Sequence, residues 1–281
     1  MKTIGFVDYY VSEWHANKYP GWIKEINESM GSDFAVRYCW TEEYVSHTDG
    51  RNTDEWCSEF GVERCQTLAE LCEKADYILV LAPSDPEKHL AYAQEVLKYG
   101  KNTYIDKTFA PDYATAKQIF SIAEQYDTKF FSTSALRFAS ELDGWEGSRA
   151  IVTLGGGSNI DEYVIHQVEM AVKTIEEKAL RVRVEKQGSQ YVCTVVFAND
   201  KRATIIYAPS LSFMAGVDSG DSRGAKFLQI QSDYFKSLIA DILRFYQTGT
   251  VSFDVNQTLE VMKIREAIIK GKNLSGEWIE L

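Results

Sequence analysis

Along the first 136 residues, short β-branched apolar runs alternate with stretches whose apolar residues recur at helical spacing. Thr3 to Val7, Phe34 to Trp40, Tyr77 to Leu81, Asn102 to Ile105 and Lys129 to Ser132 are predicted strands. Leu68 to Lys74, Pro86 to Tyr99 and Tyr113 to Tyr126 are predicted helices between them. In the second helix Leu90, Ala93, Val96 and Leu97 share one face, and Gly100 stands where a C-cap belongs. This alternation predicts an α/β domain over residues 1–136, a doubly wound parallel sheet with its ligand crevice beyond the carboxyl ends of the strands.

From residue 137 to 281 the rhythm changes. Arg149 to Leu154, Leu180 to Lys186, Gln190 to Ala198 and Arg202 to Ala208 are strand-like runs with short polar breaks, and Asn199-Asp200 marks a hairpin turn. Helices are predicted over Asp161 to Ile175, Ser232 to Tyr246 and Val255 to Ile269. The result is an α+β domain with a largely antiparallel sheet. Tyr191 to Phe197 and Ala203 to Tyr207 carry apolar side chains at both parities, so both sheet faces are expected to be covered. Helices can cover one face. A second subunit is expected on the other, giving a homo-oligomer. Ala215 to Gly224 is expected as a mobile polar loop near the substrate pocket; it has no Gly-Lys-Ser/Thr ending and is not a phosphate loop.

Composition narrows the class. The 281 residues are 45% hydrophobic and 25% charged, the proportions of a folded globular protein. With 30 Lys and Arg against 41 Asp and Glu the net charge is −11, and no basic run supplies a local patch for nucleic acid or an anionic membrane. No segment reaches the ~20 apolar residues of a membrane span, and the N-terminal apolar run is too short for a signal peptide. A cytoplasmic location is therefore expected. Cys39, Cys57, Cys65 and Cys72 cluster without a Cys-x-x-Cys pair, so reduced, buried thiols and no metal site are expected.

Three segments carry a resemblance. Ala82-Pro83-Ser84-Asp85-Pro86-Glu87-Lys88-His89 is followed by a helix closing on Gly100, then by Asn102-Thr103-Tyr104-Ile105-Asp106-Lys107-Thr108. Further on, Gly155-Gly156-Gly157 precedes Glu162-x-Val164-x-His166-x-x-Glu169, and the tail runs from Phe235 through Gly271-Lys272. In order and spacing the chain resembles the glucose-fructose oxidoreductase / inositol dehydrogenase (Gfo/Idh/MocA) family over its whole length. Its members read Thr-Pro-Asn, His, Gly-Lys, Glu-Lys-Pro and then Asp-x-Gly-x-His-x-x-Asp. The resemblance implies a Rossmann-like first domain, NAD or NADP as cofactor, and a sugar or polyol as substrate.

The chain departs from the family at the first loop. Where the family has Gly-x-Gly-x-x-Gly, so that backbone N–H groups meet the cofactor pyrophosphate, this chain reads Asp8-Tyr9-Tyr10-Val11-Ser12-Glu13-Trp14-His15-Ala16. At an effective dielectric near 20 and ~5 Å, a carboxylate of Asp8 or Glu13 repels a phosphate charge by roughly 3 kcal/mol before screening. Tyr10 adds bulk. After the second strand, Glu42 is the candidate for the ribose hydroxyls, with a solvated acidic turn as the alternative. Tyr9, Tyr10, Trp14, Tyr19 and Trp22 form either a stacking platform, with Trp14 toward substrate, or aromatic core.

By the resemblance, Lys107 and His166 are the acid-base pair that takes the proton from a sugar hydroxyl, with Glu162 in place of the family's Asp. Desolvation at a buried strand end can bring a lysine toward neutrality, and an imidazole suits proton transfer near pH 7. Glu162 lies four residues before His166, on the same helix face. Pro83, Ser84 and His89 match family positions near the cofactor, as do Asp8, Tyr9 and Tyr10 in the first loop. His89 also reads as a capping or packing residue. Asp106 is a candidate partner of Lys107, and Arg137 of Leu136-Arg137-Phe138 binds substrate or forms a structural ion pair.

Three functions compete: an NAD(P)-dependent oxidoreductase of a sugar, polyol or related hydroxy compound; a non-catalytic sugar- or nucleotide-binding regulatory protein; and a non-redox lyase or isomerase. Fold alone does not choose among them.

Overall fold

The computed structural model describes residues 1–274 and 276–281. In chain order the first elements are β1 (Lys2–Asp8), α1 (Trp14–Met30), β2 (Phe34–Thr41), α2 (Thr53–Phe60), β3 (Glu63–Arg64), α3 (Leu68–Lys74), β4 (Tyr77–Val80), α4 (His89–Val96), β5 (Thr103–Ile105), α5 (Tyr113–Gln125) and β6 (Phe130–Phe131). They are followed by β7 (Ala150–Gly155), α6 (Ile160–Ile175), β8 (Ala179–Gln187), β9 (Gln190–Phe197), β10 (Arg202–Tyr207), β11 (Met214–Asp218), β12 (Ala225–Gln229), α7 (Tyr234–Thr248), α8 (Gln257–Gly271) and β13 (Trp278–Glu280).

The chain divides into two compact units. One is Met1–Thr133 with Leu238–Val255; the other is Ser134–Ser237 with Asn256–Leu281. A single boundary after residue 136 was expected. The difference is the return of Leu238–Val255 to the first unit, where Tyr246 stacks on Tyr77 at 4.8 Å and donates from its hydroxyl to Ile78 O at 2.6 Å. Phe245 meets Phe131 edge-on at 5.1 Å. Helical periodicity shows that this segment has an apolar face and says nothing about which sheet receives it.

The first unit holds a six-stranded sheet in the order β3-β2-β1-β4-β5-β6, and every pairing is parallel. This is the doubly wound arrangement expected, with its order reversing between β1 and β4. Ile4, Phe6, Ile78, Leu79, Tyr104 and Ile105 are fully buried, as strands covered on both faces require. Gly5 allows α3 to approach β1, since a Cβ there would lie 2.6 Å from Leu71 Cδ2. Helix α1 runs from the N-cap Glu13 to Gly31, whose φ of 62° closes it. Helix α2 was not predicted, although Asn52 and Glu55 form a capping box at its start.

The second unit holds a seven-stranded sheet in the order β12-β11-β7-β10-β9-β8-β13. Its pairings are antiparallel except that of β7 with β10. Asn199 and Asp200 adopt φ of 57° and 58°, as a primed turn between β9 and β10 requires. Ala215–Gly224 is not the polar loop expected, because it contains most of β11 and the tip of the β11–β12 hairpin. Cys193, Val195, Phe197, Ala203 and Ile205 fill the buried face beside α6 and α8. The opposite face is apolar and accessible, with Phe227 76% exposed. All five cysteines are buried free thiols. Among the described residues no helix is long and apolar enough to cross a membrane.

Candidate functional site

In the first unit, the carboxyl ends of β1, β4 and β5 bring a set of ionisable groups together. Asp8 closes β1, and its Oδ1 accepts the N–H of Tyr9 at 2.8 Å and that of Ala82, beyond β4, at 3.0 Å. Glu13 caps α1. Its carboxylate accepts from His15 N at 2.8 Å and also from Ala16 N. Asp106, after β5, accepts from Lys107 N at 2.8 Å and from the Tyr104 hydroxyl at 3.1 Å through Oδ1, and its Oδ2 stands 3.1 Å from His15 Nδ1.

The loop holding Glu13 is fixed from several sides. Ser12 has a φ of 63°, its hydroxyl donates to Asp49 Oδ2 at 2.8 Å, and its carbonyl accepts from the Ser46 hydroxyl at 3.0 Å. Glu43 N donates to Tyr9 O at 2.7 Å. Ala82, on the other side of Asp8, also sits in the left-handed region, at φ 58°. Such backbone costs energy for a residue with a Cβ and persists where surrounding contacts impose it.

Burial dominates the electrostatics. Asp8 and Asp106 are each 1% exposed and Glu13 is 8% exposed. Burial, and then the neighbouring Glu13, push the Asp8 carboxyl well above its usual range. Burial raises Glu13 to about 7, and raises Asp106 as well. His15 moves the other way, well below its ordinary value, through burial and then the nearby Lys107 cation. Burial thus favours the neutral form of the imidazole and of all three carboxyls.

The remaining residues expected around this crevice occupy different positions. Lys107 is half-buried and its Nζ donates to Pro83 O at 3.2 Å. Asp106 therefore meets the Lys107 main chain, while the ammonium reaches Pro83. Tyr9 and Tyr10 are partly exposed, with Tyr10 stacked on His47 at 4.7 Å and Lys88 lying 4.3 Å over the Tyr9 ring. Glu42 follows β2, where its carboxylate accepts from Lys88 and, at 2.7 Å, from the Tyr92 hydroxyl. Ser84 is exposed in the turn after β4. Trp14 is 48% exposed and edge-on to Trp22 at 5.6 Å, whereas Tyr19 is fully buried core.

His89, weighed both as a neighbour of the cofactor and as a capping or packing residue, is fully buried, with Nε2 2.6 Å from Leu81 O and Nδ1 3.0 Å from Phe109 O. Both ring nitrogens face main-chain carbonyls, so the imidazole is a strut joining the ends of β4 and β5.

In the second unit, α6 presents His166. Its Nδ1 lies 2.6 Å from Ser134 Oγ, and the rings of Tyr163 and Phe213 each stand 5.7 Å away. The preceding glycines make this packing possible: a Cβ on Gly157 would lie 2.1 Å from the Tyr163 ring, and one on Gly155 2.5 Å from the Phe213 ring. Glu162 sits one turn earlier, its N–H bonded to the N-cap Asn159 at 2.9 Å. Arg137 is 4% exposed, donating from Nε to Glu169 Oε2 at 2.8 Å and from a terminal nitrogen to Gln257 Oε1 at 2.6 Å. Of the two roles weighed for Arg137, this geometry is that of the structural ion pair.

Several participants escaped the sequence reading. Ser134 precedes a short turn and has no motif. His15 reads as the end of the glycine-loop alignment, and Glu is not a preferred N-cap residue, so nothing local marks Glu13 as the cap.

Comparison with known proteins agrees with this architecture. Residues 37–134 match the model of an oxidoreductase family with an NAD-binding Rossmann fold, GFO_IDH_MocA. An uncharacterized oxidoreductase of Escherichia coli K12, YhhX, is 35% identical over 57 residues, a stretch spanning 20% of this chain and 16% of that protein. Three solved structures share the fold over nearly the full chain. A "probable dehydrogenase" of Thermotoga maritima has a TM-score of 0.78 at 13% identity, covering 99% of this chain and 98% of that one. Myo-inositol 2-dehydrogenase of Lactobacillus plantarum gives 0.74 at 12%, covering 100% of each chain. Aldose-aldose oxidoreductase of Caulobacter crescentus gives 0.74 at 13%, covering 100% and 99%. The match to the GFO_IDH_MocA model lies within the Rossmann unit, and the likeness to the solved structures extends the fold to the rest of the chain.

The matched model is that of an NAD-binding fold, and the first loop lies outside the matched segment. A pyrophosphate at this fold's switch point needs main-chain N–H donors at the first helix and the strand ends. Here two carboxylates hold four of them: Asp8 holds Tyr9 and Ala82, and Glu13 holds His15 and Ala16. As folded, this loop does not fit a pyrophosphate.

Proposed function

We propose that the protein is an oxidoreductase of a sugar, polyol or related hydroxy compound that uses NAD or NADP, with Lys107, His166 and Glu162 as its proton-handling residues. The observation that carries this reading is Lys107 at the carboxyl end of β5, in a parallel sheet ordered as a dinucleotide-binding sheet and within the segment matching an NAD-binding oxidoreductase family. The contribution of the chain's own residues is the proton. Lys107 offers an ammonium group tethered to Pro83 O, and His166 offers an imidazole oriented by Ser134. Glu162 supplies a carboxylate one turn away on the same helix face.

The test is a titration of the purified chain with NADH and NADPH, followed by tryptophan quenching, and then turnover on a panel of sugars and polyols. Binding, together with loss of turnover in a folded Lys107→Ala variant, supports the reading. No binding of either nucleotide up to millimolar concentration overturns it.

A second reading, a non-catalytic sugar- or nucleotide-binding regulatory protein or a non-redox lyase or isomerase, has one observation in its favour. The amide donors of the first loop are already taken by Asp8 and Glu13. Binding of a sugar without either nicotinamide nucleotide would favour it.

The outward face of the second sheet supports a homo-oligomer. Val192, Ile206, Leu154 and Met214 are aligned across β9, β10, β7 and β11, all with accessible side chains, and a second copy is the proposed cover.

A further inference from the structure

We propose that Glu13 is an internal competitor of the dinucleotide: its carboxylate occupies the anion position at the start of α1, so a pyrophosphate-bearing ligand binds only by displacing it. This rests on the proposed use of NAD or NADP.

The argument is geometric. Helix α1 has 17 residues and a full set of N-terminal amides, and the aligned peptide dipoles make its start an anion site. Glu13 fills that site from the chain itself, bonding to His15 N and Ala16 N. Ser12, bonded to Asp49 and Ser46, and Glu43, bonded to Tyr9, hold the loop in place, so the carboxylate is positioned in advance. A second observation lies beside it. Asp8 is 1% exposed, and its Oδ2 has no hydrogen-bond partner among the described residues. An incoming pyrophosphate therefore meets a taken donor set and a second carboxyl, while Lys107, a cation whose charge reaches Glu13, is bonded to Pro83 O.

Displacing Glu13 would free two amides and remove one charge from the site. Glu13→Gln keeps the shape and an acceptor for the cap but loses the charge. Glu13→Ala clears the amides entirely. Glu13→Asp keeps both charge and capping ability, and serves as the conservative control.

The experiment measures binding of ADP, NADH and adenosine to the full chain and to these three variants by calorimetry, with thermal melts to verify folding. At pH 8 and physiological salt, Glu13→Gln and Glu13→Ala are expected to bind ADP and NADH about tenfold or more tightly than the wild type, a screened fraction of the roughly hundredfold for one charge at ~5 Å. Adenosine, which lacks the pyrophosphate, should bind all forms alike, and Glu13→Asp should show no gain. If the wild type binds NADH and Glu13→Gln and Glu13→Ala bind it no better, this inference falls and the proposed function stands. If no form binds NADH or ADP up to millimolar concentration, the proposed function falls and takes this inference with it.

Discussion

Ser134 Oγ lies 2.6 Å from His166 Nδ1, while the N–H of the same serine donates to Glu169 Oε1 at 3.1 Å. The imidazole proposed to move the substrate proton is thus tied, through one serine, to the buried carboxylate that holds Arg137. Losing a neutral hydrogen bond costs about 1 kcal/mol. Ser134→Ala should therefore lower kcat about fivefold to tenfold with little change in KM, against roughly a hundredfold or more for His166→Ala. Imidazole ¹⁵N shifts, which report the tautomer, should change for His166 in Ser134→Ala. Unchanged shifts would show that the serine does not orient the ring.

The Arg137–Glu169 pair is a stability element. Both side chains are buried and their contact is 2.8 Å. Removing one partner leaves a buried charge uncompensated, a loss of about 3–5 kcal/mol. Arg137→Ala and Glu169→Ala should each lower the urea midpoint and speed amide exchange in α6. A midpoint within error of the wild type would return Arg137 to candidacy as a substrate ligand.

The acid corner sets a pH dependence. Glu13 has an ordinary value of 4.5 and is raised to about 7 by burial. A carboxyl raised on folding binds its proton more tightly in the native state. Its stabilising contribution is therefore complete below about pH 4.5, falls as pH rises toward 7, and is flat above. The integrated effect is on the order of 3 kcal/mol at most, because Asp8 and Asp106 titrate with it. His15, lowered by burial and by Lys107, has the opposite slope below its ordinary value. The test is the difference between wild type and Glu13→Gln in chemical denaturation from pH 4.5 to 8. The wild type should lose stability relative to the variant as pH rises; a flat difference would show that Glu13 titrates normally.

The outward sheet face predicts a change of assembly. Phe227 is 76% exposed and Val192 39% exposed, and Ile206 lies opposite Val192. Ile206→Lys with Phe227→Asp should give the monomer mass by light scattering where the wild type gives a multiple of it, with circular dichroism unchanged. A monomeric wild type at micromolar concentration would remove the proposed interface.

Strand and helix positions were readable to within a few residues for β1, β2, β5, β7, β9, β10 and α3, because each element's own period marks the side it buries. The short β3 and β13 were missed, for two or three residues carry no period. The proposed proton-handling residues Lys107 and His166 came from motif order. Arg137 could not be assigned, since its partners Glu169 and Gln257 lie 32 and 120 residues away.

By itself the sequence determined that this is an α/β domain followed by a sheet-and-helix domain, and that the first loop carries acids where glycines would admit a phosphate. Only the tertiary structure decided what those acids do. Asp8 reaches the N–H of Ala82, 74 residues on, because β1 and β4 are neighbours in the sheet, and Glu13 turns back onto its own helix because the loop around Ser12 is pinned by Ser46 and Asp49. Local pattern encodes which side of an element is buried. Which backbone donors a carboxylate finds depends on strand order and loop contacts, and those form only when the chain closes on itself.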